Sequence, residues 1–340
     1  MNDSSSTLKN YVLITENLCK SFYKKKGLFS RQSETIRAVH QVSIKIESGE
    51  TVGLVGESGC GKTTFGRAVL KLYEPTSGRI IFQGKDITSF RGRHLRSLRQ
   101  SMQLIFQDPY SSLNPRFKIR QIIAEGLYNF KKDLQMDKKS IVSAVNHILQ
   151  KIGLPEDASE KYPHQFSGGQ RQRICIGRAI ALRPGFIVCD EPLSALDVSI
   201  RSQILNLLLE LKNEYGLSYL FISHDLKITS SICSRIYIMY LGEIVEELPS
   251  TQLFANPLHP YTQALISAVP EFDAEKRRKR IILEGDVPSP VNIPEGCPFH
   301  PRCPKVMDIC RKKKPHLRQK DGNHTVSCWL YENQRTEDTR

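Results

Sequence analysis

Residues 56–64 read GESGCGKTT, between the apolar run TVGLVG and the helix-like TTFGRAVLKL. The spacing fits G-x-x-x-x-G-K-[ST], a loop that cradles phosphates when it follows a strand and opens a helix. Gly56, Gly59 and Gly61 permit a tight turn whose N–H groups face the anion. Lys62 reaches the β- and γ-phosphates, and the Thr63 hydroxyl holds Mg²⁺. Glu57, Ser58, Cys60 and Thr64 complete the loop, with Cys60 a small filler without chemistry of its own. Further on, FIVCDEP (186–192) is an apolar strand ending in two carboxylates. Asp190 suits Mg²⁺ through water, and Glu191 suits the polarising of an attacking water. Gln107 closes SMQLIFQ and His224 closes SYLFISH. At such strand ends a glutamine touches Mg²⁺ or water, and a histidine bonds the γ-phosphate while positioning water and Glu191. Phe22 is placed to stack on adenine, as is its neighbour Tyr23.

A second anion cradle follows at FSGGQ (166–170). Ser167, Gly168, Gly169 and Gln170 open a helix whose N-terminus favours negative charge. Two cradles serve one reaction if two subunits pair head-to-tail, each closing on the nucleotide held by the other. SALD (194–197) would then run along the interface, with Asp197 coupling the sites. A plain Ser/Gly helix cap is the other reading of FSGGQ.

Strands alternate with helices around these motifs, which argues for a mainly parallel α/β sheet. YVLITENL and AVHQVSIKI read as strands on either side of a basic loop, and GRIIFQGKDITSF (78–90) as a hairpin. The pattern turns helical between about 110 and 165, as in QIIAEGLYNF and SIVSAVNHILQKIGL, then returns to alternation. Prolines in PLHPYTQALISAVP mark a boundary. The expected organisation is a nucleotide-binding domain over 1–265, with a helical subdomain at about 108–170, and a small cysteine-rich extension over 266–340.

At 340 residues and 39% hydrophobic, the chain is long enough for one large domain plus an appendage. No apolar run is long enough to cross a bilayer, and the N-terminus has no apolar signal core, which leads us to expect a cytoplasmic protein. The formal charge of +14 is concentrated in KRRKR (276–280) and RKKK (311–314). It admits a solvated tail, an anionic membrane face or nucleic acid. Cys297, Cys303, Cys310 and Cys328 fall close together in the tail. Four thiolates suit zinc or an iron–sulfur cluster, but the C-x2–4-C pairs of common zinc folds are missing; unliganded cysteines remain the third reading. Cys19, Cys60, Cys175, Cys189 and Cys233 read as packing residues.

The ordered set GESGCGKTT, Gln107, FSGGQRQR, FIVCDEP, SALD and His224 resembles the ATP-binding-cassette ATPases over about residues 8–265, with FSGGQ departing from LSGGQ at its first position. MQLIFQDPYSSLNPR, PHQFSGGQRQRI, DEPLSALDVSIRSQILNLL and the tail HPYTQALISAVP…EGDVPSPVNIPEGCPFHPRC are similar to the oligopeptide/dipeptide importers. KSFYKKKGLF…AVHQVS and LYEPTSGRIIFQG look most like the second of their two ATPase subunits. The resemblance implies an ABC-type P-loop ATPase core with a helical insertion, using ATP and Mg²⁺, peripheral on the cytoplasmic face of the inner membrane. It also implies two transmembrane permease subunits, a second and paralogous ATPase subunit, an extracytoplasmic substrate-binding protein, and a [4Fe–4S] cluster on the four late cysteines. The competing class is a soluble cassette ATPase acting on nucleic acid or ribosomes. The single cassette and the lack of heptad runs weigh against it, and no nucleic acid partner is expected.

Overall fold

The computed structural model describes residues 10–25, 33–270 and 279–332. In chain order the strands are β1 (Tyr11–Lys25), β2 (Ser33–Val42), β3 (Lys45–Glu47), β4 (Thr51–Val55), β5 (Ser77–Phe82), β6 (Lys85–Asp86), β7 (Met102–Ile105), β8 (Phe186–Asp190), β9 (Ser218–Ser223), β10 (Arg235–Tyr240), β11 (Glu243–Pro249), β12 (Arg318–Asp321) and β13 (His324–Val326). The helices are α1 (Lys62–Val69), α2 (Gly92–Ser101), α3 (Pro109–Ser112), α4 (Ile119–Asn129), α5 (Lys138–Lys151), α6 (Gly168–Ile180), α7 (Val198–Tyr215), α8 (Leu226–Ile232), α9 (Pro260–Ser267) and α10 (Asp308–Lys312). The chain divides into two units. One holds 1–13, 46–50 and 81–222, and the other holds 14–45, 51–80 and 223–340.

In the first unit β7, β8 and β9 pair in parallel, Met102 opposite Phe186 and Phe186 opposite Ser218. Phe186, Ile187, Val188 and Cys189 have no exposed surface. That explains why this strand reads as an unbroken apolar run rather than an alternation: parallel strands are covered on both faces. The stretch from about 110 to 165 holds α3, α4 and α5, and α6 begins just beyond it. α4 buries Ile119, Ile122, Ile123 and Leu127, while α5 buries Ile141, Val145, Ile148 and Leu149. Both follow the helical spacing of one apolar stripe, and each such side chain contributes about 1.5–3 kcal/mol on burial. Asp137 caps α5 by accepting from the Ser140 amide at 2.8 Å. Gly177 lets α6 approach closely, since a Cβ there would lie 3.0 Å from Ile152 Cδ1.

In the second unit β4 runs parallel to β10, Val52 opposite Arg235 and Val55 opposite Ile238. Beyond β10 the pairing becomes antiparallel, through β11, β13 and β12. The reversal is local in origin. Only Leu241 and Gly242 separate β10 from β11, both at positive φ (45° and 82°), as a tight two-residue hairpin requires. The expected parallel sheet thus holds for β4–β10 and β7–β8–β9 and gives way at the C-terminal edge. The early basic loop is also shorter than expected. β1 continues to Lys25, with Phe22 opposite Ile36 on β2. The predicted hairpin at 78–90 forms as β5 and β6, Ile81 opposite Asp86.

Candidate functional site

The glycine loop leaves β4 at Val55 and enters α1 at Lys62. Gly56 has no room for a side chain, because a Cβ would lie 2.2 Å from the Met239 carbonyl. Gly61 sits at φ +108°, and its Cβ would lie 2.1 Å from the Ala38 carbonyl. Glycine is therefore required at both places for sterics and, at Gly61, for backbone conformation. Ser58 and Gly59 are exposed at the loop's crest, while Lys62 is buried beneath it. The Lys62 ammonium donates to the carbonyls of Gly56 (2.8 Å) and Glu57 (2.9 Å). The lysine thus lies folded against the inner wall of its own loop, where a phosphate would find it held in place. Thr63 and Thr64 open the helix half-buried. Cys60 is buried, and burial pushes its thiol up, in keeping with a filler. His224 follows β9 and is exposed.

The first unit carries the carboxylates. Asp190, at the end of β8, is 2% exposed. Glu191 follows at φ +46°, a left-handed conformation uncommon for a non-glycine residue. Its amide donates to the Ile222 carbonyl of β9 (3.0 Å), and its own carbonyl accepts from the Ser194 hydroxyl (3.0 Å). These bonds hold the bend that turns the Glu191 side chain off the strand line. Gln107 Nε2 donates to Glu191 Oε2 at 3.0 Å. The glutamine and the carboxylate, 84 residues apart in sequence, are therefore brought together, a pairing the strand-end reading did not include.

FSGGQ opens α6. Ser167 Oγ accepts from the Gln170 amide (3.3 Å), and the Ser167 amide donates to Gln170 Oε1 (3.0 Å). The motif is a reciprocal capping box, and Gln170 has a structural task within it. At this helix end Gly168 and Gly169 are half-buried, while Ser167 and Gln170 are exposed. Arg171 lies over the Tyr110 ring at 4.1 Å, a contact the sequence did not signal. Asp197 is exposed at the N-cap of α7.

Known proteins resemble the chain over most of its length. The family description "ABC transporter" matches residues 39–194, and "Oligopeptide/dipeptide transporter, C-terminal region" matches residues 245–310. The oligopeptide transport ATP-binding protein AppF of Bacillus subtilis is 46% identical over 94% of this chain and 97% of its own length. A putative peptide import ATP-binding protein of Brucella ovis is 48% identical over 88% of this chain and 94% of its own. Among solved structures, cbiO1 of Clostridium perfringens superposes with a TM-score of 0.62 at 27% identity, over 73% of this chain and 92% of that one. The ATP-binding cassette MJ0796, a dimer in a post-hydrolysis state with ADP and Pi, gives 0.62 at 28% identity, over 70% and 98%.

The chain belongs to the ABC transporter ATP-binding subunits of the oligopeptide/dipeptide type.

It is an ABC ATPase. No helix among the described residues is long and apolar enough to cross a membrane. In this cassette Phe22 meets Tyr73 edge-to-face (5.5 Å), with the Lys20 ammonium 4.9 Å above the Phe22 ring. Nothing in the sequence spacing links Tyr73 to Phe22. Tyr23 is 69% exposed.

The iron–sulfur expectation is corrected. Neither matching family description includes such a cluster, and among the described residues no three His, Cys, Asp or Glu side chains are grouped to hold a metal ion. None of the four late cysteines is fully exposed, Cys303 and Cys328 being half-buried. Cys297 and Cys310 are buried, and the Cys297 amide donates to the Cys310 carbonyl at 2.8 Å. Burial pushes the Cys297 thiol up to about 12 and that of Cys328 to about 11, so both stay protonated at neutral pH. Residues 276–278 of the basic run KRRKR lie outside the described residues.

Proposed function

We propose that this cassette hydrolyses ATP to energise the import of peptides across the cytoplasmic membrane. Identity of 46% over nearly the whole length of an oligopeptide transport ATP-binding protein carries the reading. In it the subunit is peripheral, on the cytoplasmic face, with two permease subunits and an extracytoplasmic binding protein as partners. Residues 1–265 form the nucleotide-binding domain, with a helical subdomain at about 108–170, and residues 266–340 the extension. The loop of Gly56 to Thr64 holds the phosphates, Lys62 carrying the charge. Mg²⁺ would be held by oxygen atoms of Thr63, Gln107 and Asp190, and supplies neutralisation of phosphate charge. The buried carboxylate of Asp190 and the hydroxyl of Thr63 are the hard oxygen donors this ion prefers.

Glu191 accepts a proton from the attacking water as its oxygen bonds to the γ-phosphorus and the bond from that phosphorus to the bridging β-phosphate oxygen breaks, leaving ADP and inorganic phosphate. Gln107, bonded to Glu191, reports occupancy of the γ-phosphate position to the carboxylate. His224 bonds the γ-phosphate and positions the water, and Phe22 packs on the adenine. Ser167, Gly168, Gly169 and Gln170 close on the nucleotide of a second, paralogous cassette, with Asp197 along that interface. Tyr110 and Phe117, 58% and 41% exposed on the helical stretch, are the apolar contacts for a permease helix. Nucleic acid has no part in this reading.

A gentle-detergent pull-down of the tagged chain from native membranes tests it, with co-purifying proteins identified by mass. Two polytopic subunits and a second cassette are expected. Ribosomes or DNA, with no membrane chains, would overturn the importer reading.

A further inference from the structure

Glu57 is a position the phosphate-loop pattern leaves unspecified, yet every polar group it has is engaged. Its carbonyl accepts from Lys62 at 2.9 Å. Its amide donates to Tyr261 Oη at 2.8 Å. Its carboxylate accepts two bonds from Arg302, Nη1 to Oε2 at 2.8 Å and Nη2 to Oε1 at 3.2 Å. That is the fork-to-fork geometry of a bidentate pair. The Arg302 side chain is only 8% exposed and that of Glu57 26%, so the pair is largely withdrawn from solvent screening. The Glu57 carboxylate and burial act in opposite directions on the guanidinium, and the carboxylate wins, holding it still more firmly protonated.

Both partners of Glu57 come from far along the chain. Tyr261 is in α9, and Arg302 ends the short turn His300–Arg302. An aromatic cluster fixes them. Phe299, 1% exposed, packs against Tyr240 (5.2 Å) and Tyr261 (5.4 Å), and Tyr240 packs on Tyr261 (4.8 Å). The arginine therefore projects from a packed base onto the outer side of the loop, while Lys62 is held to the inner side through the same residue. A loop whose own glycines make it pliable is braced from behind.

The geometry points to Arg302 as a positioning residue for nucleotide binding: through Glu57 it sets the conformation of the phosphate loop, so the C-terminal segment tunes the affinity of the cassette for ATP. This rests on the ATPase reading above. The loop contacts phosphate in both the ground and transition states, so loosening it removes uniform binding and raises KM more than it lowers kcat.

The test uses the full chain with Mg²⁺ and a fluorescent N-methylanthraniloyl ATP, alongside steady-state ATPase assays and thermal melts. Arg302→Gln is expected to weaken nucleotide binding about tenfold, as loss of a charge-assisted bidentate bond allows, with kcat moving far less. Glu57→Gln is expected to do the same, and the double variant to be no worse than either single one, because both act on one contact. Arg302→Lys is expected to restore part of the affinity. Unchanged affinity in Arg302→Gln, with only a lower melting temperature, would reduce Arg302 to a structural role and overturn the inference. Fully additive losses in the double variant would also overturn it. If Arg302→Gln fails to fold, the cycle of Arg302→Lys with Glu57→Gln decides by the same additivity criterion. A wild-type chain that neither binds nor hydrolyses ATP would sink the ATPase reading itself, a result distinct from any of these.

Discussion

Two backbone positions concentrate the chemistry. Glu191 is held at positive φ by bonds to Ile222 and Ser194, and strain of this kind gathers at functional sites. Replacing Glu191 by Gln keeps the bend and the side-chain volume but removes the base. We expect phosphate release to fall by about 100-fold or more, with ATP still bound and the dimer trapped, as read by phosphate assay and size exclusion in ATP. Normal turnover in that variant would remove Glu191 from its assigned role. Gly61 is the opposite case, a residue needed for what it lacks. A methyl group there meets the Ala38 carbonyl at 2.1 Å with φ at +108°, so Gly61→Ala is expected to abolish ATP binding in a fluorescence titration. The glycine and lysine positions could be read from spacing because the motif is local. The sequence puts Gln107 and Glu191 at two strand ends without joining them and gives no sign of Tyr73 against Phe22, since contacts between distant residues leave no periodic trace in one sequence.

Among the elements, α9 carries a titratable cap. His259, 1% exposed, accepts through Nδ1 from the Tyr261 amide at 3.1 Å. Burial lowers its pKa from 6.5 to about 4, against the opposing pull of Glu246 and of a bond the ring donates to the Ser327 backbone. The folded state therefore binds fewer protons than the unfolded one between these values. Stability is complete above about pH 6.5 and falls as pH drops toward 4, by on the order of 3 kcal/mol. His259→Asn, which retains an acceptor for the cap, should flatten that dependence in urea unfolding followed across pH. An identical slope in wild type and variant would remove His259 as its source. The strands themselves were legible where apolar runs are long, as in β8. The antiparallel turn after β10 was less so, because Leu241 at positive φ has no turn-forming signature.

For the whole molecule, the C-terminal segment is built into a sheet edge. β13 pairs with β11, and His324 Nε2 lies 2.7 Å from Glu246 Oε1, a carboxylate with no exposed surface. Ending the chain at residue 281 would strip β11 of β13, leaving it paired with β10 alone, and uncover Glu246. Such an edge invites pairing between chains, so we expect the truncated protein to lose most of its soluble yield and to scatter light on concentration. A soluble truncation with an unchanged melting temperature would show the segment to be accessory. The segment's prolines and cysteines stand out in the sequence, whereas the pairing of β13 with β11 leaves no mark there. The cysteines drew attention to metal, yet the arginine beside Cys303 is the residue that reaches the phosphate loop.

Glu57 and Arg302 lie 245 residues apart. During synthesis at about 5–20 residues per second, the loop leaves the ribosome on the order of 10–50 s before its brace exists. A nascent cassette in that interval has its glycines and Lys62 but not the arginine behind them. Nucleotide capture at full strength is thereby deferred until the chain is nearly complete, so a stalled or prematurely terminated product would compete poorly for ATP.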